Sequence, residues 1–194
     1  MLEGALFVVD VQNDFCPGGA LAVGSGDEVV VPMNQYIARF TAAGLPVFAS
    51  RDWHPEQTVH FQSGGGSWPP HCVQDTPGAA FHPALKVPAD AIIVTKGDNP
   101  AEDAYSAFHG HAASGAPAAD ALRERGVERL FVGGLATDYC VRSTVLDGLR
   151  AGFGVTLLLD ASRGVNLSAG DAERAIAEMV ETGASVTTQS RLKL

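Results

Sequence analysis

Apolar and polar positions alternate between two periods along this chain. Ala5–Val9 is a continuous apolar run, the pattern of a strand covered on both faces. Val29, Val30, Met33, Tyr36, Ile37 and Phe40 then recur at helical spacing and predict a helix over about Glu28 to Ala43, with Gly44 as its stop. Pro32 fits that helix only in its first turn. Leu45–Ser50 and Ala91–Lys96 read as strands, Ala118–Arg125 as a helix closed by Gly126, and Arg129–Gly133 as a strand. Asp138–Ala151 reads as a helix ended by Gly152, Val155–Asp160 as a strand, and Ser168–Thr182 as a helix capped by its serine and followed by Gly183. Ser185–Gln189 reads as a last, edge-like strand. This alternation predicts an α/β fold over residues 1–194: a single-domain, three-layer α/β/α architecture with a doubly wound, mainly parallel six-stranded sheet. Arg51 to Ala89 breaks the rhythm. It is crowded with Pro, Gly, His and Trp, and a segment of that length without periodicity points to a functional loop.

Composition narrows the classes of function. With 46% hydrophobic residues, 194 residues can bury a sizeable core. The formal charge of -9 disfavours nonspecific binding to nucleic acid or to an anionic membrane. The opening Met1-Leu-Glu-Gly lacks a basic stretch before the first apolar run, and no apolar run is long enough to span a bilayer. The three cysteines have no CxxC spacing, so neither a disulfide framework nor a zinc finger is indicated. The expectation is a soluble, cytoplasmic protein. The edge strand leaves room for a homo-oligomer.

Three apolar runs end in residues with chemistry. Val8-Val9 ends in Asp10, Val94-Thr95 in Lys96, and Arg129–Gly134 in a turn leading to Cys140. Strand ends of a parallel sheet meet in one crevice, which would gather an acid, an amine and a thiol. Cys140 falls in the first turn of its predicted helix, where free N–H groups and the helix dipole favour a thiolate. Each residue alone also reads as an ordinary strand cap or a buried cysteine. In the irregular loop, Asp52 and His54 are two apart and share a face of extended chain; His71 could close a metal site, with His60 as a fourth candidate. Such a set suits zinc, manganese or iron, although a turn-capping Asp52 with surface histidines meets the same spacing. Phe15, Trp68 and Tyr105 lie in predicted loops flanking this crevice and could wall a slot for a flat ring or simply anchor the loops. His82, His109 and His111 form no pattern and read as surface residues. Gly64-Gly65-Gly66 has neither the strand nor the Lys-Ser/Thr of a phosphate loop, and no GxGxxG follows the first strand.

Taken together these segments resemble the nicotinamidases of the isochorismatase-like cysteine hydrolase superfamily. The resemblance rests on Val8-Val9-Asp10-Val11-Gln12-Asn13-Asp14-Phe15, Ser50-Arg51-Asp52-Trp53-His54-Pro55, His60, Trp68-Pro69-Pro70-His71-Cys72, Thr95-Lys96-Gly97, and Gly133 through Val141. It implies Asp10, Lys96 and Cys140 as a catalytic triad, Asp52, His54 and His71 as ligands of one divalent metal ion, zinc foremost, and His60 as an extra ligand found in some members. It implies that Phe15 and Trp68 sandwich a pyridine ring and that Tyr105 is a further pocket residue. The Leu135–Ala136 bond matches a cis peptide, with Ala136 and Cys140 N–H groups as the oxyanion hole. Tyr139 departs from members that carry histidine before the cysteine. The implied reaction is hydrolysis of nicotinamide to nicotinate and ammonia through a thioester, with pyrazinamide as a second substrate. Another amidase or ureidohydrolase of the superfamily, a noncatalytic homologue, and a metal-water hydrolase remain as alternatives.

Overall fold

The structure, a computed structural model, describes residues 4–192. Met1–Glu3, part of the opening read above as lacking a basic stretch, lie outside the described residues. Strand β1 (Gly4–Val9) is buried along its whole length. Its side chains alternate in direction, as a strand's must. Ala5, Phe7 and Val9 enter one hydrophobic cluster and Leu6 and Val8 the other. A strand buried on both faces needs a layer on each side. Helix α1 (Val30–Ala42) covers one face with Met33, Tyr36, Ile37 and Phe40. Helices α2 (Ala118–Glu124), α3 (Arg142–Arg150) and α4 (Asp171–Glu181) cover the other, through Leu122, Val145, Leu146 and Met179. Burying each large apolar side chain contributes roughly 1.5–3 kcal/mol, so this two-sided core is the main source of stability.

The remaining strands are β2 (Val47–Asp52), β3 (Ile92–Lys96), β4 (His111–Ala112), β5 (Arg129–Leu135), β6 (Gly154–Arg163) and β7 (Ser185–Thr187). Their order is β4-β3-β2-β1-β5-β6-β7, parallel throughout except for β4. Successive connections run outward from β1 in both directions, so the order reverses between β1 and β5. A crevice opens at such a point, at the carboxyl ends of the strands.

The doubly wound α/β architecture is the one expected, with seven strands instead of six. The added strand, β4, is a two-residue antiparallel edge on β3, pairing Val94 with Ala112 and Thr95 with His111; two residues are too few to show alternation. Pro32 does lie in the first turn of α1, behind a 3-10 turn over Gly26–Val29. The helix expected over Asp138–Ala151 is divided into a π-helical turn, Thr137–Val141, and α3. Ser168 is not a helix cap. The Asp171 carboxylate accepts the Ser168 N–H at 2.7 Å and the Asp171 N–H donates to the Ser168 carbonyl at 3.1 Å, so helix α4 starts three residues later, after Gly170 in a left-handed conformation. The 51–89 region is pinned by isolated bridges between His54 and Val73 and between Phe61 and Trp68.

Near its end β5 shifts register against β6 between Val132 and Gly134. Gly134 adopts φ +130°, and a Cβ there would lie 2.0 Å from the Val9 carbonyl oxygen. Only glycine permits both the turn and the contact that send the chain toward Cys140. Gly134→Ala is therefore expected to lower stability by roughly 1–3 kcal/mol from the backbone conformation alone, with the clash adding to it. An unchanged denaturant midpoint for that variant would contradict the assignment.

Candidate active site

Four strand ends deliver the charged centre. Asp10 follows β1, Asp52 ends β2, Lys96 ends β3, and Cys140 lies in the turn after β5. Asp10 and Lys96 are fully buried, Asp52 and Cys140 nearly so. The Lys96 Nζ lies 2.8 Å from Asp10 Oδ2, touches Asp52 Oδ1, and reaches Cys140 Sγ at 3.6 Å. One oxygen of each carboxylate and the sulfur fall within 4.8 Å of one another, and the ammonium already serves as their shared cation. Asp10 Oδ1 accepts the Ser50 hydroxyl at 2.7 Å, whereas Oδ2 meets Lys96 as an ion pair without hydrogen-bond geometry. That oxygen is left available for a proton.

Burial governs the protonation states. It opposes the Lys96 charge, but Asp10, Asp52 and Cys140 outweigh it and hold the ammonium well above its usual pKa. Burial likewise raises Asp10, with Lys96 opposing. On Asp52 burial is overcome by Lys96 and His54, so this carboxyl sits below the usual range and stays ionised. Burial pushes the Cys140 thiol well above its ordinary range despite Lys96. The thiolate expected from a helix terminus is thus outweighed: the resting sulfur is a thiol facing a carboxylate of raised basicity.

Beside this centre, His54, His60 and His71 bring ring nitrogens within 4.8 Å of one another, all buried. His54 stacks on His60 at 4.5 Å between ring centroids and meets His71 edge-on at 5.1 Å. Each ring has its Nδ1 engaged: His54 with the Gly97 carbonyl at 3.0 Å, His71 with that of Pro69 at 2.8 Å, and His60 with the Asp103 carboxylate. A donor proton on each Nδ1 leaves each Nε2 as a lone pair, the arrangement that orients metal ligands. His54 Nε2 is buried without a hydrogen-bond partner and lies 3.8 Å from Asp52 Oδ2. Burial lowers His60, and lowers His71 to about 4, so both are neutral at pH 7. Neutral imidazoles around an orphaned nitrogen, with an ionised carboxylate alongside, fit a divalent metal ion. His60 sits inside this histidine cluster on the same footing as His54 and His71.

Phe15, Trp68, Tyr105, Tyr139 and Ala136 line an open cleft together with Cys140, Asp52, His60 and His71. The Trp68 indole N–H donates to the Tyr105 hydroxyl at 2.9 Å, and Trp68 meets Tyr139 edge-on at 5.0 Å. The Leu135–Ala136 peptide is cis. His82, His109 and His111 do not line this cleft. Several residues here had no role assigned to them from the sequence. Ser50, Asp103 and Gln12 act through hydrogen bonds between distant segments, and Leu21, Val23 and Val165 complete the cleft as ordinary apolar loop residues. Gly97, at φ +71°, leaves no room for a side chain, since a Cβ would lie 2.5 Å from the His54 ring.

A buried thiol, a carboxylate and an ammonium at the switch point of a parallel sheet make the equipment of a nucleophilic hydrolase. The isochorismatase domain matches residues 4–191, and the chain belongs to the isochorismatase family. It is similar to the nicotinamidase of Escherichia coli (strain K12), 42% identical over 200 residues that span 95% of this chain and 94% of that one. It is 43% identical over 165 residues to the nicotinamidase/pyrazinamidase of Mycobacterium tuberculosis (strain ATCC 25618 / H37Rv), spanning 84% of this chain and 87% of that one. Among solved structures, the pyrazinamidase of Pyrococcus horikoshii in complex with zinc superimposes with a TM-score of 0.88 at 46% identity, covering 96% of this chain and 99% of that one.

Two outcomes follow from the geometry. Gly97→Ala should displace the His54 ring and lower affinity for added zinc by about 10-fold or more, measured by chelator competition; undiminished affinity would remove His54 from the metal centre. Between pH 6.5, the ordinary histidine value, and about 4, the unfolded chain takes up a proton at His71 that the folded chain refuses. The His71 contribution to the stability of the metal-free protein should therefore fall as pH drops through that window and level off below it. Replacing His71 with asparagine should make the melting temperature fall less steeply there; an identical profile would contradict the buried neutral imidazole.

Proposed function

We propose that this protein is a nicotinamidase, hydrolysing nicotinamide to nicotinate and ammonia through a thioester on Cys140, with pyrazinamide accepted in the same way. One observation supports the reading above all: Cys140, within reach of Lys96 and Asp10 behind it, lines the same aromatic-walled cleft as His60 and His71 of the histidine cluster. Phe15 and Trp68 hold the ring between them, Tyr105 fixes Trp68 through its hydroxyl, and the carboxamide is directed at Cys140. Asp52, His54, His71 and His60 would hold one divalent ion, zinc in preference to manganese or iron. When bound, that ion supplies an electrophilic anchor for the ring nitrogen.

The chemistry belongs to the chain's own residues. Asp10 takes the Cys140 proton as the sulfur attacks the carboxamide carbon, and Lys96, 3.6 Å from Sγ, offsets the developing thiolate charge. The backbone N–H groups of Ala136 and Cys140 receive the oxyanion; loss of one such donor typically costs about 2.7–4 kcal/mol of transition-state stabilisation. Asp10 returns its proton to the departing nitrogen, and the C–N bond breaks with release of ammonia. Water then attacks the thioester carbon while Asp10 accepts its proton. The C–S bond breaks, and the proton returns to the sulfur as nicotinate leaves. Such a salvage enzyme acts on a free small molecule, which suits a cytoplasmic protein. Among the described residues no helix is long and apolar enough to cross a membrane.

A ureido or carbamoyl acid is the competing substrate class. Such substrates carry a carboxylate, and the residues lining the cleft include no lysine or arginine to pair it. A neutral flat ring fits the lining better. Cys140→Ala should abolish ammonia release from nicotinamide while still binding it, and wild-type-like turnover in that variant would overturn the covalent mechanism. Turnover of ureido acids in preference to nicotinamide would overturn the substrate assignment.

A further inference from the structure

Strand β1 leaves the sheet just before the charged centre begins. Val9 is its last residue paired with β2, opposite Ser50, and Asp10 then turns the backbone through φ +48°. Asp52, two residues beyond Ser50, keeps β3 on one side, opposite Lys96. On its other side no strand residue is paired with it among the described residues. The Gln12 side chain takes that place. Its Oε1 accepts the Asp52 N–H at 2.8 Å, and its Nε2 donates to the Asp52 carbonyl at 2.8 Å and to the Ala79 carbonyl at 2.8 Å. A primary amide offers two donors and one acceptor group, and here all are used in a fully buried position. The pairing supplies the one donor and one acceptor that a neighbouring strand would have offered Asp52.

We propose that Gln12 is the positioning residue for Asp52: a side-chain substitute for the missing strand that fixes the one carboxylate shared by Lys96 and the histidine cluster. The proposal rests on the reading that Asp52 serves both. Asp52 Oδ1 holds Lys96 while Oδ2 faces His54 Nε2 at 3.8 Å. A tilt of the Asp52 backbone would move both oxygens at once, and the two-sided amide clamp prevents that tilt. Gln12 also follows directly on the Asp10 turn, where its N–H donates to the Asp10 carbonyl at 2.8 Å. One short segment therefore sets both carboxylates around Lys96.

The test is Gln12→Met, which keeps the length of the side chain and removes its hydrogen bonds. Asn13→Ala is the control, because the Asn13 amide ties the same turn to the Pro77 carbonyl at 2.8 Å without touching Asp52. Zinc affinity is read by chelator competition on folded protein, alongside kcat and KM for nicotinamide. Gln12→Met should bind zinc about 10–100-fold more weakly and lose kcat, while Asn13→Ala should stay within about twofold of wild type on both. A folded Gln12→Met protein with wild-type zinc affinity and kcat would overturn the positioning role, even if its melting temperature fell. A wild type that binds no zinc would instead sink the metal reading, a separate result. Should the methionine variant fail to fold, hydrogen exchange on the wild type decides. The Asp52 amide should be protected as strongly as those of Phe48 and Ala49, and rapid exchange at Asp52 would overturn the proposal.

Discussion

The buried ammonium of Lys96 is the interaction on which the rest of the site depends. An isolated charge taken out of water is costly, by several kcal/mol even after the protein relaxes. Lys96 is tolerated because Asp10 and Asp52 close on it from two adjoining strands and Cys140 approaches from a third direction. Removing one partner of such a buried pair typically costs 3–5 kcal/mol, so the arrangement resists drift. Its chemistry is a matter of unequal surroundings. Asp52, held by Lys96 and His54, stays ionised, whereas Asp10, with burial dominant, gains the basicity to take a proton from a thiol that burial has made reluctant to lose it. Two carboxylates about one lysine thereby differ in their affinity for a proton.

Asp52 also joins this centre to the histidine cluster. The three imidazoles come from a region with little regular structure, yet each is oriented by an acceptor on its Nδ1 and by bridges that close the loop on itself. Gly97, just beyond β3, lies so close to the His54 ring that a Cβ there would meet it at 2.5 Å. The cleft lies across both clusters. In the proposed function, a ring held between Phe15 and Trp68 lies in the cleft that Cys140, His60 and His71 also line.

How much of this the sequence discloses follows from the kind of interaction involved. A strand covered on both faces is written as an unbroken apolar run, so β1, β3 and β5 could be found, and the residues at their ends with them. Asp10, Lys96 and Cys140 were legible for that reason, since a parallel sheet collects strand ends at one edge. Strand β4 was not, because two residues carry no period. Ser168 misled because Asp171 competes for the same turn, its carboxylate reaching back to the Ser168 N–H. His60 could be named only as a candidate, since its position depends on the bridge between Phe61 and Trp68 that folds the loop. Gln12 acts through a pair of hydrogen bonds to Asp52, 40 residues away, and Asp103 through one to His60, 43 residues away, relations that local pattern does not encode.

The proposed reaction begins with attack of the Cys140 sulfur on the carboxamide of nicotinamide. The most direct measurement is ammonia release from nicotinamide by purified, zinc-loaded protein before and after alkylation with iodoacetamide, with the extent of modification at Cys140 read by peptide mass spectrometry. Release should be rapid, disappear in proportion to Cys140 alkylation, and be preserved when nicotinamide protects the thiol. Release that survives complete alkylation of Cys140 would contradict it and transfer the attack to water.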